Sequence, residues 1–265
     1  MAIGFVGAGR MGMPMVARLV DAGERVRVLV RSSKSGAEPA KRFETVRSVV
    51  DIAVGATTVI VCVHTDEQVL NVCIDGNLIA SMHAGSTLIV HTTGSPYVVK
   101  ELAAIGKAYG VTVVDAPVSG SPDDIAGGVI TTFVGGSESD FDSAARVLRH
   151  YSNPMIHVGP LGSGQLTKLV NNVVFASNVA ILESATRIGI ELGLEETALV
   201  GCLQRGSARS AALDGVARAG SSSAFAAEVD EFLVKDIAVV RQVAADVGLE
   251  LGSLGTILDG ASLAR

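Results

Sequence analysis

Short β-branched runs that alternate with amphipathic stretches constrain this chain more than anything else in it. "IGFV" is followed by "MPMVARLVDAG" and "RVRVLV". Further on stand "TTVIVCV", "STLIVHT", "YVVKELAAIGKAYG", "VTVVDA", "VITTFVGG", "ESDFDSAARVLRHY" and "MIHVG". Continuous apolar strands separated by helices imply a largely parallel sheet covered on both faces. The alternation stops near residue 159, and from about Gln165 to the end the periodicity is helical. The pattern predicts an α/β domain over residues 1–163, followed by an all-α domain over 164–265, with the junction near Gly162 to Gly164.

With 265 residues, 48% of them hydrophobic, the chain can build a core in each part. Apolar runs are broken by Gly or polar residues before the ~18–20 positions a membrane span needs, so no membrane partner is expected. The opening "MAIGFVGAG" has no basic leader-like region and reads as a structural strand, so a cytoplasmic protein is expected. Lys and Arg are scattered over a chain of formal net charge -6, which argues against nucleic acid. Cys62, Cys73 and Cys202, and the five His residues, lack metal-ligand spacing, so no metal is expected.

Gly7-Ala8-Gly9-Arg10-Met11-Gly12 follows the first strand and opens a helix. In that context G-x-G-x-x-G has a mechanism. The first glycine permits the turn, the second lets backbone approach a pyrophosphate, and the third lets helix and strand pack closely, while the helix N-terminus offers N–H groups. The α/β domain therefore reads as a Rossmann-type dinucleotide-binding domain. An NAD site usually places an acid about 20 residues after the glycines, at the end of the second strand. Here the chain runs Val30-Arg31-Ser32-Ser33-Lys34. Arg31 and Ser32 suit a ribose 2′-phosphate, favouring NADP(H) over NAD(H); a solvated basic turn is the alternative.

The apolar segment from Gln165 carries Lys168 and Asn172, one helical turn apart. A buried ammonium is costly unless it is paired or functional. The segment is apolar nearly all round, so it is covered either by its own neighbours or by another subunit.

Four collinear stretches together resemble the β-hydroxyacid dehydrogenases, the group of 3-hydroxyisobutyrate dehydrogenase and tartronate semialdehyde reductase. They are "IGFVGAGRMGMPMVARL", "DAPVSG" at 115–120, "GPLGSGQLTKLVNN" and "FLVKDIAVV". The resemblance implies Lys168 as general acid or base, exchanging a proton with the carbonyl or hydroxyl oxygen, and Asn172 as its partner on substrate. A free lysine titrates near ~10.4, and burial or a nearby cation lowers that value toward a useful range. The resemblance also implies Ser119, Gly120 and the backbone at Ser121 as the grip on a substrate carboxylate. Lys235, Thr93 and the Val63-His64 pair would contact the cofactor.

This chain departs from the family pattern in four places. Ser121 stands where a second Gly is usual, with Pro122-Asp123-Asp124 after it; Val63-His64 replaces Leu-Pro; Val90 replaces an Asp; and the chain ends at Arg265, before helices that relatives often carry. The resemblance implies an oxidoreductase for a small, carboxylate-bearing aldehyde or keto compound and its hydroxy acid, assembled as a homodimer or tetramer through the helical domain. An imine reductase shares the fold but usually lacks the lysine. A non-catalytic NADP(H)-binding sensor or scaffold would be expected to lose Lys168 and Asn172.

Overall fold

A computed structural model describes residues 2–30 and 42–260. Its contacts divide the chain into two units, Met1–Lys168 and Leu169–Arg265.

Among the described residues, the first unit is built on a nine-stranded sheet: β1 (Ala2–Val6), β2 (Arg25–Leu29), β3 (Glu44–Val46), β4 (Thr58–Val61), β5 (Thr87–Val90), β6 (Thr112–Asp115), β7 (Val118–Ser119), β8 (Ile130–Gly135) and β9 (Ser152–Gly159). The strand order is β3-β2-β1-β4-β5-β6-β8-β7, with β9 also paired to β8. From β3 to β6 every pairing is parallel. The β8 strand then runs antiparallel to β6 and β7 and parallel to β9. The parallel part was legible as continuous apolar runs. The antiparallel insertion was not, because β7 has only two residues and carries no period to read.

Alternation along each strand fills two cores, one per face. Ile3, Phe5, Val28, Ile60, Ile89 and Val114 belong to one, and Val6, Val59, Val61, Leu88, Val90 and Val113 to the other. The chain leaves β1 outward to β2 and β3, then returns to place β4 on the other side of β1. That reversal opens a crevice at the carboxyl ends of β1 and β4, where open α/β sheets bind ligands.

The second unit is all-helical. The helix Ser163–Glu191 enters it from the first unit, and helices Glu196–Leu203, Ala211–Ala219, Ser222–Asp246 and Gly252–Asp259 follow. Leu169, Val173, Ala176, Val179 and Leu182 pack with Leu213, Val216, Phe225, Val229, Leu233 and Ile237. Local signals start these helices: Ser210 and Ser221 accept hydrogen bonds from Leu213 N–H and Ala224 N–H, and the Glu195 carboxylate accepts from Thr197 and Ala198. The last of these contacts hold the exposed Glu195 carboxyl below its ordinary range.

The long helix has two apolar faces. One is in the core, while Leu166, Val170, Val174, Ile181 and Ile188 lie exposed along the other. Contrary to the expectation that every run is too short, an 18-residue window of this helix is apolar enough to cross a membrane by composition, at mean hydropathy 1.3. Its packed stripe is what the core helix of a globular unit shows.

Candidate active site

The glycine turn is shaped by what each missing side chain would meet. Gly7 has φ +95°, and a Cβ there would fall on the carbonyl of Cys62. A Cβ on Gly12 would fall on the Gly7 carbonyl and 2.8 Å from the Phe5 ring, so helix Gly12–Asp21 can approach β1 only with glycine there. Gly9 differs: a Cβ would meet no protein atom within 4 Å. Its backbone faces open space beside a helix N-terminus that no side chain caps. That is a cradle a phosphate fits and a side chain would fill.

This turn lines a cleft of about 490 Å³ at the β1/β4 switch point. Gly7, Ala8, Gly9, Arg10, Met11, Gly12, Val63 and His64, which the sequence marks as cofactor contacts, all border it. Val28, Phe43, Thr45, Cys62 and Gln68 are among the other residues of the wall. Phe43 and Thr45 gave no sequence signal, because the third strand brings them back from a distant stretch. Arg31 and Ser32 lie outside the described residues.

The carboxyl ends of β5 and β6 hold the next group. Asp115, the last residue of β6, is fully buried, and its two oxygens accept from Gly162 N–H (2.8 Å) and Gln165 N–H (2.8 Å). It thereby caps the helix that begins at Ser163. Burial pushes this carboxyl up, and the backbone donors pull it back in part. A Cβ on Gly164 would stand 2.8 Å from an Asp115 oxygen, so the approach needs glycine there.

One residue further, the Gln165 side chain, 1% exposed, bridges to the loop after β5. Its Nε2 donates to Thr92 O (2.8 Å), and its Oε1 accepts from Gly94 N–H (2.9 Å). These contacts tie the first turn of the long helix into the sheet unit. They account for a division by contacts that falls at Lys168, within the helix.

Lys168 stands on that braced turn, 9% exposed, three residues beyond Gln165. Asn172 is one helical turn further and belongs to the second unit. Its Nδ2 donates to Asp236 Oδ2 (2.5 Å), and its Oδ1 accepts from Asn171 (3.1 Å). Asp236, 3% exposed, also pairs with Lys235 (2.8 Å). Sequence reading named Lys235 and Asn172 separately; the carboxylate that joins them is a contact between residues 64 positions apart. Thr93 does not border the dinucleotide cleft.

Ser119 ends β7, and Gly120 and Ser121 follow in the loop after it. Ser121 caps helix Pro122–Ala126 in a reciprocal box with Asp124: Ser121 N–H and Oγ–H both donate to Asp124 Oδ2 (2.7 and 2.8 Å), and Asp124 N–H donates to Ser121 Oγ. Asp124 is therefore turned onto the loop, while Asp123 is exposed.

His91 adds a buried brace beneath the loop after β5. The Ala116 carbonyl can only accept, so ring Nδ1 carries the proton (2.5 Å), and Nε2 accepts from the Tyr151 hydroxyl (2.8 Å). Burial pushes this imidazole down to about 4. The Cys73 thiol is pushed up to about 12 by burial, and no cluster of potential metal ligands occurs among the described residues.

Comparisons with known proteins agree with this geometry. The profile described as the NAD binding domain of 6-phosphogluconate dehydrogenase matches residues 2–159. The one described as NAD-binding of NADP-dependent 3-hydroxyisobutyrate dehydrogenase matches 162–259. The 3-hydroxyisobutyrate dehydrogenase of Pseudomonas aeruginosa is 30% identical over 223 residues, which are 80% of this chain and 72% of that one. NAD-dependent L-serine dehydrogenase from the same organism is 31% identical over 215 residues, with 80% and 72% covered. Among solved structures, Mycobacterium tuberculosis 3-hydroxyisobutyrate dehydrogenase with L-serine superimposes with a TM-score of 0.85 at 26% identity, covering 97% of this chain and 91% of that one. A dinucleotide cleft at the switch point, a buried lysine on a capped helix and relatives matched over most of their length place this chain in the β-hydroxyacid dehydrogenase family, oxidoreductases that act on CH–OH groups with a nicotinamide dinucleotide.

Proposed function

We propose that the protein interconverts a small aldehyde or keto compound and the corresponding hydroxy compound, with NADP(H) preferred over NAD(H) and Lys168 as the general acid and base. The observation that carries this reading is the placement of Lys168. It is buried on a helical turn that Asp115 caps and Gln165 braces to the strand ends. General acid–base catalysis needs a titratable group held in a fixed place, and this braced turn holds one.

A dinucleotide whose pyrophosphate lies along Gly7–Gly12 would supply the hydride from its reduced nicotinamide, and in its oxidised form would accept one. The chain does the rest. Lys168 delivers a proton from Nζ to the carbonyl oxygen in reduction and takes it from the hydroxyl in oxidation. Asn172, oriented by Asp236, holds that oxygen in place, and Ser119 with Gly120 anchors the far end of the substrate. The NADP preference rests on Arg31 and Ser32.

Absorbance loss at the reduced-nicotinamide band tests this reading, with NADPH and NADH in parallel, over short aldehydes, their acid-bearing analogues and a cyclic imine. Turnover of an aldehyde is expected, and Lys168→Ala should lower kcat by about 10²–10⁴ while leaving NADPH binding near wild type. Binding lost with turnover preserved would overturn the role. Turnover of the imine alone would favour imine reduction, and tight NADPH binding without any turnover would favour the sensor.

We also propose that the exposed stripe at Leu166, Val170, Val174, Ile181 and Ile188 packs on a second copy of the chain, since a row of apolar residues on one helix suits an isologous contact. Val170→Asp should then shift the sedimentation of the protein toward monomer. A wild-type protein that is already monomeric would end this part of the reading.

A further inference from the structure

Resting on the function proposed above, we infer that Asp124 sets the substrate class. The group anchored at Ser119–Gly120 is polar but uncharged, not a carboxylate. Anchoring a carboxylate needs donors that converge on an anion, and here the chain's own carboxylate has taken that place. A single oxygen, Asp124 Oδ2, accepts both from Ser121 N–H at 2.7 Å and from Ser121 Oγ at 2.8 Å. The same oxygen lies against Gly120, whose φ of +138° turns its open side to it; a Cβ on Gly120 would stand 2.8 Å away. The next residue, Pro122, has no N–H to offer.

A carboxylate docked on Ser119 and Gly120 would lack the Ser121 donors and face a second negative charge. At such range, in a partly buried loop, the repulsion exceeds what solvent screens and disfavours the acid by about tenfold or more. Arg18 does not relieve it, because its guanidinium packs against Gly128 at the other end of the short helix and donates to His150 O. An ester carbonyl, amide or hydroxyl avoids the repulsion and can accept from the Ser119 hydroxyl.

The test compares two substrates of nearly equal shape, succinic semialdehyde and its methyl ester, by the ratio of their kcat/KM values with NADPH. The wild type should favour the ester by about tenfold or more. Asp124→Asn keeps an oxygen that can accept from Ser121 N–H, so the helix cap survives. It should raise the acid-to-ester ratio by about tenfold, with the ester little changed. Asp123→Asn removes the same formal charge one residue away on an exposed side chain and should leave the ratio at its wild-type value. Because the readout is a ratio, partial loss of folded enzyme does not affect it. A wild type that favours the acid, or a ratio that Asp124→Asn does not move, overturns the inference while the oxidoreductase reading stands. If neither compound nor any other carbonyl is turned over, both fall together.

Discussion

Replacing Gln165 by leucine isolates the brace between the lysine-bearing helix and the sheet. Leucine fills much of the same space but makes neither hydrogen bond, so the Thr92 carbonyl and the Gly94 N–H each lose a partner in a site only 1% exposed. An orphaned buried group costs about 1–3 kcal/mol, hence about 2–6 kcal/mol for the pair. The new apolar burial returns roughly 1–2 kcal/mol, leaving a net loss of about 2–3 kcal/mol at the middle of the two ranges. The assay is unusually clean. The chain has no tryptophan, and its three tyrosines, Tyr97, Tyr109 and Tyr151, all lie in the first unit, so tyrosine fluorescence in urea follows that unit alone.

The lysine sits three residues along the same helix, so kcat should fall at least tenfold, while NADPH binding at the distant glycine turn changes little. Gln165→Glu makes the argument directional. A carboxylate can accept from Gly94 N–H but turns an oxygen toward the Thr92 carbonyl, which raises its folded pKa above the unfolded value of about 4.3. That variant should be penalised at neutral pH and recover relative to wild type as pH falls through the raised folded value toward the unfolded one. A leucine variant within ~0.5 kcal/mol of wild type with unchanged kcat, or a glutamate variant whose deficit is flat with pH, would refute the reasoning.

The glycines of the turn should separate by role. Gly9→Ala places a Cβ where no protein atom lies within 4 Å and should keep wild-type stability while weakening NADPH at least tenfold, whereas Gly12→Ala collides with the Gly7 carbonyl and should lose about 1–3 kcal/mol in the same urea assay. The opposite pattern would mean that Gly9, not Gly12, is the packing glycine. His91 should make the fold acid-sensitive. Its ring is neutral when folded, with a pKa of about 4, but takes up a proton below the ordinary 6.5 when unfolded, so stability falls by up to about 1.4 kcal/mol per pH unit between 6.5 and 4. His91→Gln should lack that part of the slope, and parallel curves for the two proteins would assign it elsewhere.

What could be read from the chain follows the distance over which each signal acts. The parallel strands, the glycine turn and the lysine–asparagine pair are set within one strand or one helical turn, so periodicity and spacing reveal them. The caps and braces that aim the site are not local. Asp115 reaches Gly162 across 47 positions, Gln165 reaches Thr92 across 73, and Asn172 reaches Asp236 across 64. Only the folded topology says that these residues meet. The same distances account for the division by contacts at Lys168: composition changes near residue 163, but the first turn of the helix is tied to the sheet through Asp115 and Gln165.

The Ser121–Asp124 pair is different, because its pattern is local. Ser-x-x-Asp ahead of an apolar residue is a helix-start pattern, and the geometry gives it a second consequence. The cap bends Asp124 back onto Gly120 and Ser121, so the hydrogen bonds that start the helix also carry a negative charge to the loop proposed to grip the substrate. A capping residue that takes up a ligand's donors changes specificity without touching the proton-transfer machinery, which is how a family scaffold can keep its lysine and asparagine and still change what it accepts.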